Sequence, residues 1–463
     1  MSLGVQKLSL KEKIGYSTGD AASNFFFQTF VLYITMFYTD VFGLSPSAIA
    51  VMFLVTKIWD AINDPLMGLL ADRTQTRWGK FRPWLIWFSI PLGVLGVLTF
   101  TTPDLSDNGK LIYAYITYTL LMMAYTIVNV PYSALMGVMT PNTHERTVLS
   151  SFRFFAAFVG TILVQSFMLV LVSKLGKGNQ ALGWQWAMGI FSVVAVILFF
   201  ITFATTRERV HPPKGQKTSF LDDLRDLVRN KPWVLIAFAT VFQLIYIVMR
   251  GGSIAYYFKY FVRDQEVLSW GLVSWEKLSS FFLVAGTVAT LLGVTLTTFI
   301  SRRFGKARTY AVCLGLAGLG TAVFFVLNPQ NIVIMFVLQI VVSLALGPVA
   351  VLQWAIYTDT ADYSEWINRR RATGLTMSAS LFALKLGVAI GVSALAWVLG
   401  AYGFQANVDQ SDKALLGIRL VHSIYPALFA LLGMGVMLFY PLNKTRMAQV
   451  EADLIERRQG QEA

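Results

Sequence analysis

The chain has 463 residues, of which 56% are hydrophobic and 14% are charged, whereas roughly a quarter of the residues of an average soluble domain are charged. This composition argues against a soluble enzyme and predicts an integral membrane protein. The single Cys313 excludes a disulfide framework. The formal charge of +13 does not indicate nucleic-acid binding, because the Lys and Arg residues lie between apolar runs rather than along one polar face.

Apolar runs long enough to cross a bilayer, which takes about 20 residues per helix, divide the chain into two sets of six. We therefore predict an all-α membrane fold with 12 transmembrane helices. The first set lies near residues 21–42, 47–71, 83–103, 111–139, 148–173 and 184–205. The second set lies near residues 234–262, 278–300, 309–328, 331–358, 374–400 and 416–441. Most Lys and Arg residues fall in the tails and in the loops on the same side as the tails, so both termini are predicted to be cytoplasmic.

A repeated motif supports two halves. The basic segment at 77–82 after span two recurs at 303–308 after span eight, and further matching residues lie at the same offset. Between the halves, two prolines precede an apolar pattern at helical spacing near 220–227, which predicts a flexible linker followed by an interfacial amphipathic helix. The predicted domains are an N-terminal six-helix bundle at 1–205, a cytoplasmic linker at 206–233, a C-terminal six-helix bundle at 234–442 and a cytoplasmic tail at 443–463. Two pseudo-symmetric bundles with a cavity at their interface resemble the major facilitator fold.

Span two carries an unusual set of polar residues, because ionisable groups inside a membrane are costly and need a partner or a role. Lys57, Asp60, Asn63 and Asp64 recur at helical spacing, which places the two carboxylates one turn apart on one face. Oxygen ligands suit a hard cation, so we predict that Asp60, Asp64 and Asn63 bind Na⁺, Li⁺ or a proton; for sodium, the two aspartates are metal ligands. The alternative is an internal salt bridge of Lys57, but one base cannot neutralise two acids.

Further ionisable residues lie in or near the other spans. Asp20, at the start of span one among small residues, either lines a ligand cavity or caps the helix. Lys385 stands near the centre of span eleven, where its ammonium group reaches the surface with difficulty, so we expect it to pair with a carboxylate or donate to a substrate. For Arg153 in span five, a functional role and contact with lipid headgroups both remain open. Arg250 and Lys259 in span seven receive no assignment.

Span four contains Pro131, which removes a helix hydrogen bond and often marks a cavity. Thr126 and Asn129, three residues apart, would present a hydroxyl and an amide to that cavity. Trp354 in span ten could offer a ring face to a sugar, although an aromatic residue in a span more often only packs. The chain lacks a phosphate-binding loop and a recognisable nucleophile and base pair. We therefore predict transport driven by an ion gradient, without a cofactor other than the coupling cation and without enzyme activity.

Two segments of the sequence carry a family resemblance, WDAINDP at 59–65 and RWGKFRP at 77–83. They resemble the glycoside-pentoside-hexuronide:cation symporter family, which includes melibiose permease, and the segments at 38–44 and 362–366 are also similar to it. The resemblance implies a cation site formed by Asp60, Asp64, Asn63 and Thr126, and a sugar cavity faced by Asp20, Asn129, Arg153, Trp354 and Lys385. It also implies a multi-pass protein of a bacterial inner membrane, and we expect a monomer.

One departure from the family pattern concerns span four. Where melibiose permease has an aspartate and then a tryptophan, this chain has Asn129 and Ser133. The amide still hydrogen-bonds hydroxyl groups but removes one charge, so a preference for galactosides does not follow. Glucosides, xylosides and uronides all remain open as substrates.

The predicted mechanism is symport by alternating access, in which a cation neutralises the span-two carboxylates, a sugar binds beside it and the two halves rock around both ligands. Loop residues are predicted to form cytoplasmic gating pairs with acids such as Asp72 and Glu365. The basic gating residues are Arg77, Lys80, Arg82, Arg303 and Lys306. The main alternative is a proton-coupled drug or metabolite antiporter, which would favour an apolar cavity with a lone acid. A sensor or channel without coupled transport is the third class.

Overall fold

The structure is a computed structural model that describes residues 7–140, 143–209, 229–267, 271–368 and 373–462. Some side chains within these ranges also lie outside the description, among them those of Lys57, Asp64 and Asp72. The predicted amphipathic helix at 220–227 lies outside the described residues.

The first half of the chain consists of six long helices. Serine side chains at positions 9, 45 and 106 accept a backbone N–H at the start of α1, α2 and α4, and Ser9 and Glu12 form a reciprocal capping box. A π-helical segment, Phe37–Val41, continues α1. The helices are α1 (Leu10–Met36), α2 (Pro46–Arg73), α3 (Arg82–Thr99), α4 (Asp107–Met139), α5 (Thr143–Gly176) and α6 (Gln180–Thr205).

The described residues of the second half form eight helices and one small sheet. A π-helical segment, Tyr257–Val262, continues α7, and a 3₁₀ turn, Phe324–Val326, follows α9. The helices are α7 (Lys231–Tyr256), α8 (Trp275–Phe304), α9 (Lys306–Val323), α10 (Ile332–Asn368), α11 (Thr373–Ala401), α12 (Asp412–His422), α13 (Ile424–Leu438) and α14 (Lys444–Glu462). Between α7 and α8, strands β1 (Gln265–Val267) and β2 (Gly271–Val273) pair with each other.

The last predicted span, 416–441, is divided between two helices. The chain leaves helical geometry at Ser423, where φ is −122° and ψ is −76°. Pro426 follows in the first turn of α13, where its missing N–H needs no helical partner. A proline at this position fits the start of a helix, in agreement with the break at Ser423.

The helices identify a multi-pass membrane protein. In the described part of the chain, ten helical segments are long and apolar enough to cross a bilayer, and α12 and α13 together form one of them. Helix α1 has 27 residues but includes the polar stretch at 19–24, which lowers its apolar character. In α2, Pro46–Thr56 is recognised as a shorter apolar helix.

The chain folds into two compact units. The first comprises the described residues within Met1–Gly215, together with Val273–Val284 and Gln405–Val408. In this unit α1 packs against α5 and α6, and α3 packs against α4 and α6. These contacts bring residues of α1 and α5 that are far apart in sequence onto facing helix surfaces.

The second unit contains the described residues within Gln216–Leu272, Ala285–Phe404 and Asp409–Ala463. Helix α7 packs against α11 and α13, and α9 packs against α10 and α13. Buried tyrosines in this core find polar partners: the hydroxyl of Tyr246 lies 3.0 Å from the Thr321 hydroxyl, and that of Tyr357 donates to Thr240 at 2.8 Å. The predicted C-terminal tail is helical, and Asp453 of α14 accepts a hydrogen bond from the Trp366 indole at 2.8 Å.

Candidate functional site

Asp20 of α1 and Arg153 of α5 form an ion pair inside the first unit. Arg153 donates from Nε to Asp20 Oδ2 at 2.5 Å and from Nη2 to Asp20 Oδ1 at 3.1 Å. The two side chains are 22% and 15% exposed, so this bidentate contact is mostly shielded from solvent. The alternative that Asp20 caps α1 is wrong, because α1 begins at Leu10 and Ser9 caps it.

Two stacked tyrosines support this ion pair. The Tyr16 and Tyr132 rings are 4.8 Å apart, and the guanidinium carbon of Arg153 lies 5.6 Å and 5.1 Å from their centroids. The Tyr132 hydroxyl lies 2.9 Å from both Asp20 Oδ2 and the Tyr16 carbonyl oxygen, and the Tyr16 hydroxyl donates to the Tyr132 carbonyl at 3.0 Å. Neither tyrosine was assigned a role from the sequence, although both lie in polar or Pro-containing stretches of their spans.

Asn129 of α4 is held by neighbours within the same unit. Ser23 donates to its side-chain oxygen at 2.8 Å, and its amide nitrogen donates to the Tyr125 carbonyl at 3.1 Å. An amide nitrogen carries two hydrogens, so these contacts leave one for a ligand hydroxyl. The structure therefore brings together Asp20 of α1, Asn129 of α4 and Arg153 of α5. We call these residues and their hydrogen-bonded polar neighbours the polar wall of the first unit. Their role as sugar ligands remains a prediction.

The predicted cation site is described only in part. Asp60 is 2% exposed, Thr126 is 4% exposed, and their helices α2 and α4 pack against each other. Within the described residues, the Asn63 amide nitrogen is buried without a hydrogen-bond partner. Such an orphaned polar atom is costly unless a ligand or water satisfies it. The side chain of Asp64 lies outside the description, so the site remains a prediction.

The predicted sugar residues of the second half belong to the second unit. Trp354 of α10 is 38% exposed, and its ring lies 6.2 Å from that of Tyr357. Lys385 of α11 is partly buried and already has an interaction partner. Arg250, which received no assignment, is 6% exposed and donates from Nη2 to Gln339 Oε1 at 2.7 Å. This contact satisfies part of its buried guanidinium group.

The loop at 77–82 binds an acid from a distant part of the chain that was not anticipated from the sequence. Glu208 accepts backbone hydrogen bonds from Lys80 at 2.9 Å, from Phe81 at 2.8 Å and from Arg82 at 3.0 Å. These N–H groups belong to the start of α3, where the helix dipole favours a carboxylate. Gly79 has a φ of +109°, and a Cβ at this position would collide with the Glu208 carboxyl group.

The basic side chains of this loop also contact their own unit. Arg82 donates from Nη2 to the Phe203 carbonyl at 2.6 Å and from Nη1 to the Trp78 carbonyl at 3.2 Å. The guanidinium carbon of Arg77 lies 4.7 Å from the Trp78 ring centroid. The suggested partner Asp72 has a side chain outside the description, and the gating role of these residues remains a prediction.

In the repeated loop, the partner of Lys306 is Asp359. The Lys306 ammonium group lies 2.7 Å and 2.8 Å from the two Asp359 carboxylate oxygens. Asp359 lies six residues before Glu365 on α10 and was not among the acids named from the sequence. Glu365 has an interaction partner of its own, and its gating role remains a prediction. The guanidinium carbon of Arg303 lies 5.7 Å from the Phe304 ring centroid.

Comparison with known proteins identifies the family. Residues 15–444 match the family described as MFS/sugar transport protein. The chain is 40% identical over 426 residues to the inner membrane symporter YicJ of Escherichia coli (strain K12), covering 92% of this chain and 90% of YicJ. It is 37% identical over 458 residues to the putative glycoside/cation symporter YagG of the same organism, covering 98% of this chain and 97% of YagG.

The fold comparison agrees with this result. The crystal structure of the nucleoside transporter NupG matches with a TM-score of 0.60 at 14% identity, covering 93% of this chain and 99% of that chain. At that identity the likeness concerns the fold alone. The family match and the relatives confirm the resemblance drawn from the segments at 59–65 and 77–83. The chain belongs to the MFS/sugar transport family, within its glycoside-pentoside-hexuronide:cation symporters, and is a transporter rather than an enzyme.

Proposed function

We propose that the chain is a secondary active symporter that moves a sugar or glycoside together with Na⁺, Li⁺ or H⁺ across a bacterial inner membrane. Its 12 transmembrane helices form two pseudo-symmetric six-helix bundles at 1–205 and 234–442, joined by the linker at 206–233. Both termini and the 443–463 tail are cytoplasmic, and the transporter works as a monomer. The names of YicJ and YagG, an inner membrane symporter and a putative glycoside/cation symporter, support this proposal.

The observation that carries the proposal is the polar wall of the first unit. The ion pair of Asp20 and Arg153 lies beside the amide of Asn129, on three different helices. A carboxylate, a guanidinium group and an amide offer both acceptors and donors to hydroxyl groups. Such a set suits a polyhydroxylated solute. A lipophilic cation, the substrate of the rival antiporter, has few hydrogen-bonding groups and would gain little from it.

Coupling follows from the cost of enclosing ionised acids in a low-dielectric interior. Asp60 is buried, and one turn further along α2 the sequence places Asp64. Closing the carrier around two ionised carboxylates would cost several kcal/mol unless a cation neutralises them. The cation therefore permits the conformational change, and bound sugar favours the same closed state. Release of both ligands to the cytoplasm completes a cycle of net import.

The test is uptake of labelled sugars into sealed vesicles that contain the purified protein. Galactosides, glucosides, xylosides and glucuronides are offered under an inward sodium gradient or, separately, an inward proton gradient. We expect one sugar to accumulate above its external concentration under one of the gradients. Vesicles with the gradient collapsed by an ionophore serve as the control and should only equilibrate. Failure of every sugar under both gradients would favour the antiporter.

A further inference from the structure

The charges of the first unit's polar wall affect whether the transporter binds uncharged sugars or sugar acids. Among the described residues of this wall, Asp20 and Arg153 are the ionised side chains. The other polar groups are neutral hydroxyls and amides, namely those of Ser23, Asn24, Asn129, Tyr132 and Thr161. The negative and positive charges cancel, so the wall as a whole is close to neutral.

Three of the five N–H groups of Arg153 already have partners. Its Nε and Nη2 groups form the two-point contact with Asp20, and Nη1 faces Met136 Sδ at 3.9 Å. The stacked rings of Tyr16 and Tyr132 lie against the guanidinium group. A carboxylate binds arginine best through two parallel N–H groups, and here Asp20 holds such a pair. An incoming carboxylate would meet a guanidinium group whose charge Asp20 already neutralises, and to take over this two-point contact it would have to separate a mostly buried acid from its cation.

The second basic residue expected at the sugar, Lys385, belongs to the second unit and has an interaction partner of its own. The predicted cation site contributes Asp60 and Asp64 to the first unit, and these acids repel a further anion whenever the cation is absent. Hydroxyl groups meet no such obstacle, because an ionised carboxylate has about four lone-pair positions. Asp20 can accept from a sugar hydroxyl while it remains paired with Arg153.

From this geometry we infer that the Asp20–Arg153 pair makes the transporter selective for uncharged sugars and glycosides over sugar acids. The inference rests on the proposed sugar symport and narrows its substrate class. Asp20 causes this selectivity because it pairs with Arg153 and neutralises its charge. The arginine then donates hydrogen bonds to sugar hydroxyls and does not bind a carboxylate.

The experiment compares pairs of ligands that differ only at C6, where one has a hydroxymethyl group and the other a carboxylate. Methyl glucoside against methyl glucuronide and methyl galactoside against methyl galacturonide are two such pairs. Binding to the purified full-length protein is measured by calorimetry, in sodium buffer and in sodium-free buffer at acid pH. We expect the uncharged member of the bound pair to bind at least about tenfold more tightly.

The variant Asp20→Asn removes the acid and frees the guanidinium group of Arg153. This variant should bind the uncharged sugar more weakly. The ratio of its affinity for the uronide to its affinity for the uncharged glycoside should rise by about tenfold or more. The substitution Asp409→Asn is the matched control, because it also removes an acid paired with an arginine, at an exposed position, and should leave the ratio unchanged. Equal or tighter binding of a uronide by the unaltered protein would overturn the inference while supporting sugar transport. Binding of no sugar at all would overturn the proposed function and the inference with it.

Discussion

The contact between Gly79 and Glu208 leads to a sharp stability prediction. In the variant Gly79→Ala, the new Cβ would overlap the Glu208 carboxyl carbon, closer than any tolerated contact. The carboxylate must move, and this displacement weakens its three backbone hydrogen bonds at the start of α3. Alanine at a φ of +109° adds backbone strain of about 1–2 kcal/mol.

The repeat provides a matched control for the strain. Gly305 stands at the corresponding place in the second loop with a φ of +84°, and no atom of the described residues lies within 4 Å of an added Cβ. Gly305→Ala therefore carries the strain without the collision. A partly exposed hydrogen bond contributes about 1 kcal/mol net, so Gly79→Ala should be the more destabilising variant, by at most about 3 kcal/mol if all three are lost.

The assay heats both purified variants in the same detergent and measures the fraction of each protein that remains monodisperse. Gly79→Ala should lose its folded form several degrees below Gly305→Ala, and Gly305→Ala slightly below the unaltered protein. Equal losses in the two variants would show that Glu208 contributes no stability at the start of α3, and would refute this reading of the loop.

Three further predictions concern the first unit. Tyr132→Phe keeps the ring beside Arg153 but removes the hydroxyl near Asp20, so sugar affinity should fall roughly tenfold with the fold intact; unchanged affinity in a binding titration would exclude a role for this hydroxyl. Asp60→Asn should abolish accumulation driven by the cation and preserve sugar exchange at equilibrium, and retained accumulation would remove Asp60 from the coupling site. Burial raises the pKa of Glu12, but the hydrogen bonds from Arg209 and the Ser9 backbone outweigh it, and the pKa lies below its usual 4.5. This stabilisation is present above the ordinary pKa and is lost as pH falls through the lowered one, so Glu12→Gln should melt earlier at pH 7 and the difference should shrink as the pH is lowered; a difference that does not change with pH would contradict the assignment.

The sequence predicts the helices well because long apolar runs have few alternatives to a membrane helix. It misses features whose cause is local and polar. Helix α1 begins at Leu10 rather than near 21, since the capping box at Ser9 starts the helix before the apolar run does. The break at Ser423 also escapes prediction, because the flanking residues are apolar on both sides and only Pro426 marks it.

The candidate site shows the same limit. Asp20, Asn129 and Arg153 attract notice as polar residues in apolar spans, but their partners lie more than 100 positions away along the chain. Spacing along one helix cannot reveal such partners. Glu208 is a similar case, because it follows α6 among basic residues and gives no signal that its carboxylate binds the start of α3.

Cation movement driven by a sugar gradient is the most direct test of cation-coupled sugar symport. Vesicles that contain the protein are prepared without any cation gradient, and the transported sugar is then added outside. Symport predicts that the inward sugar gradient drives sodium or protons into the vesicles, and that an outward sugar gradient drives them out. Cation movement opposite to the sugar, or sugar flux without cation movement, would contradict the account.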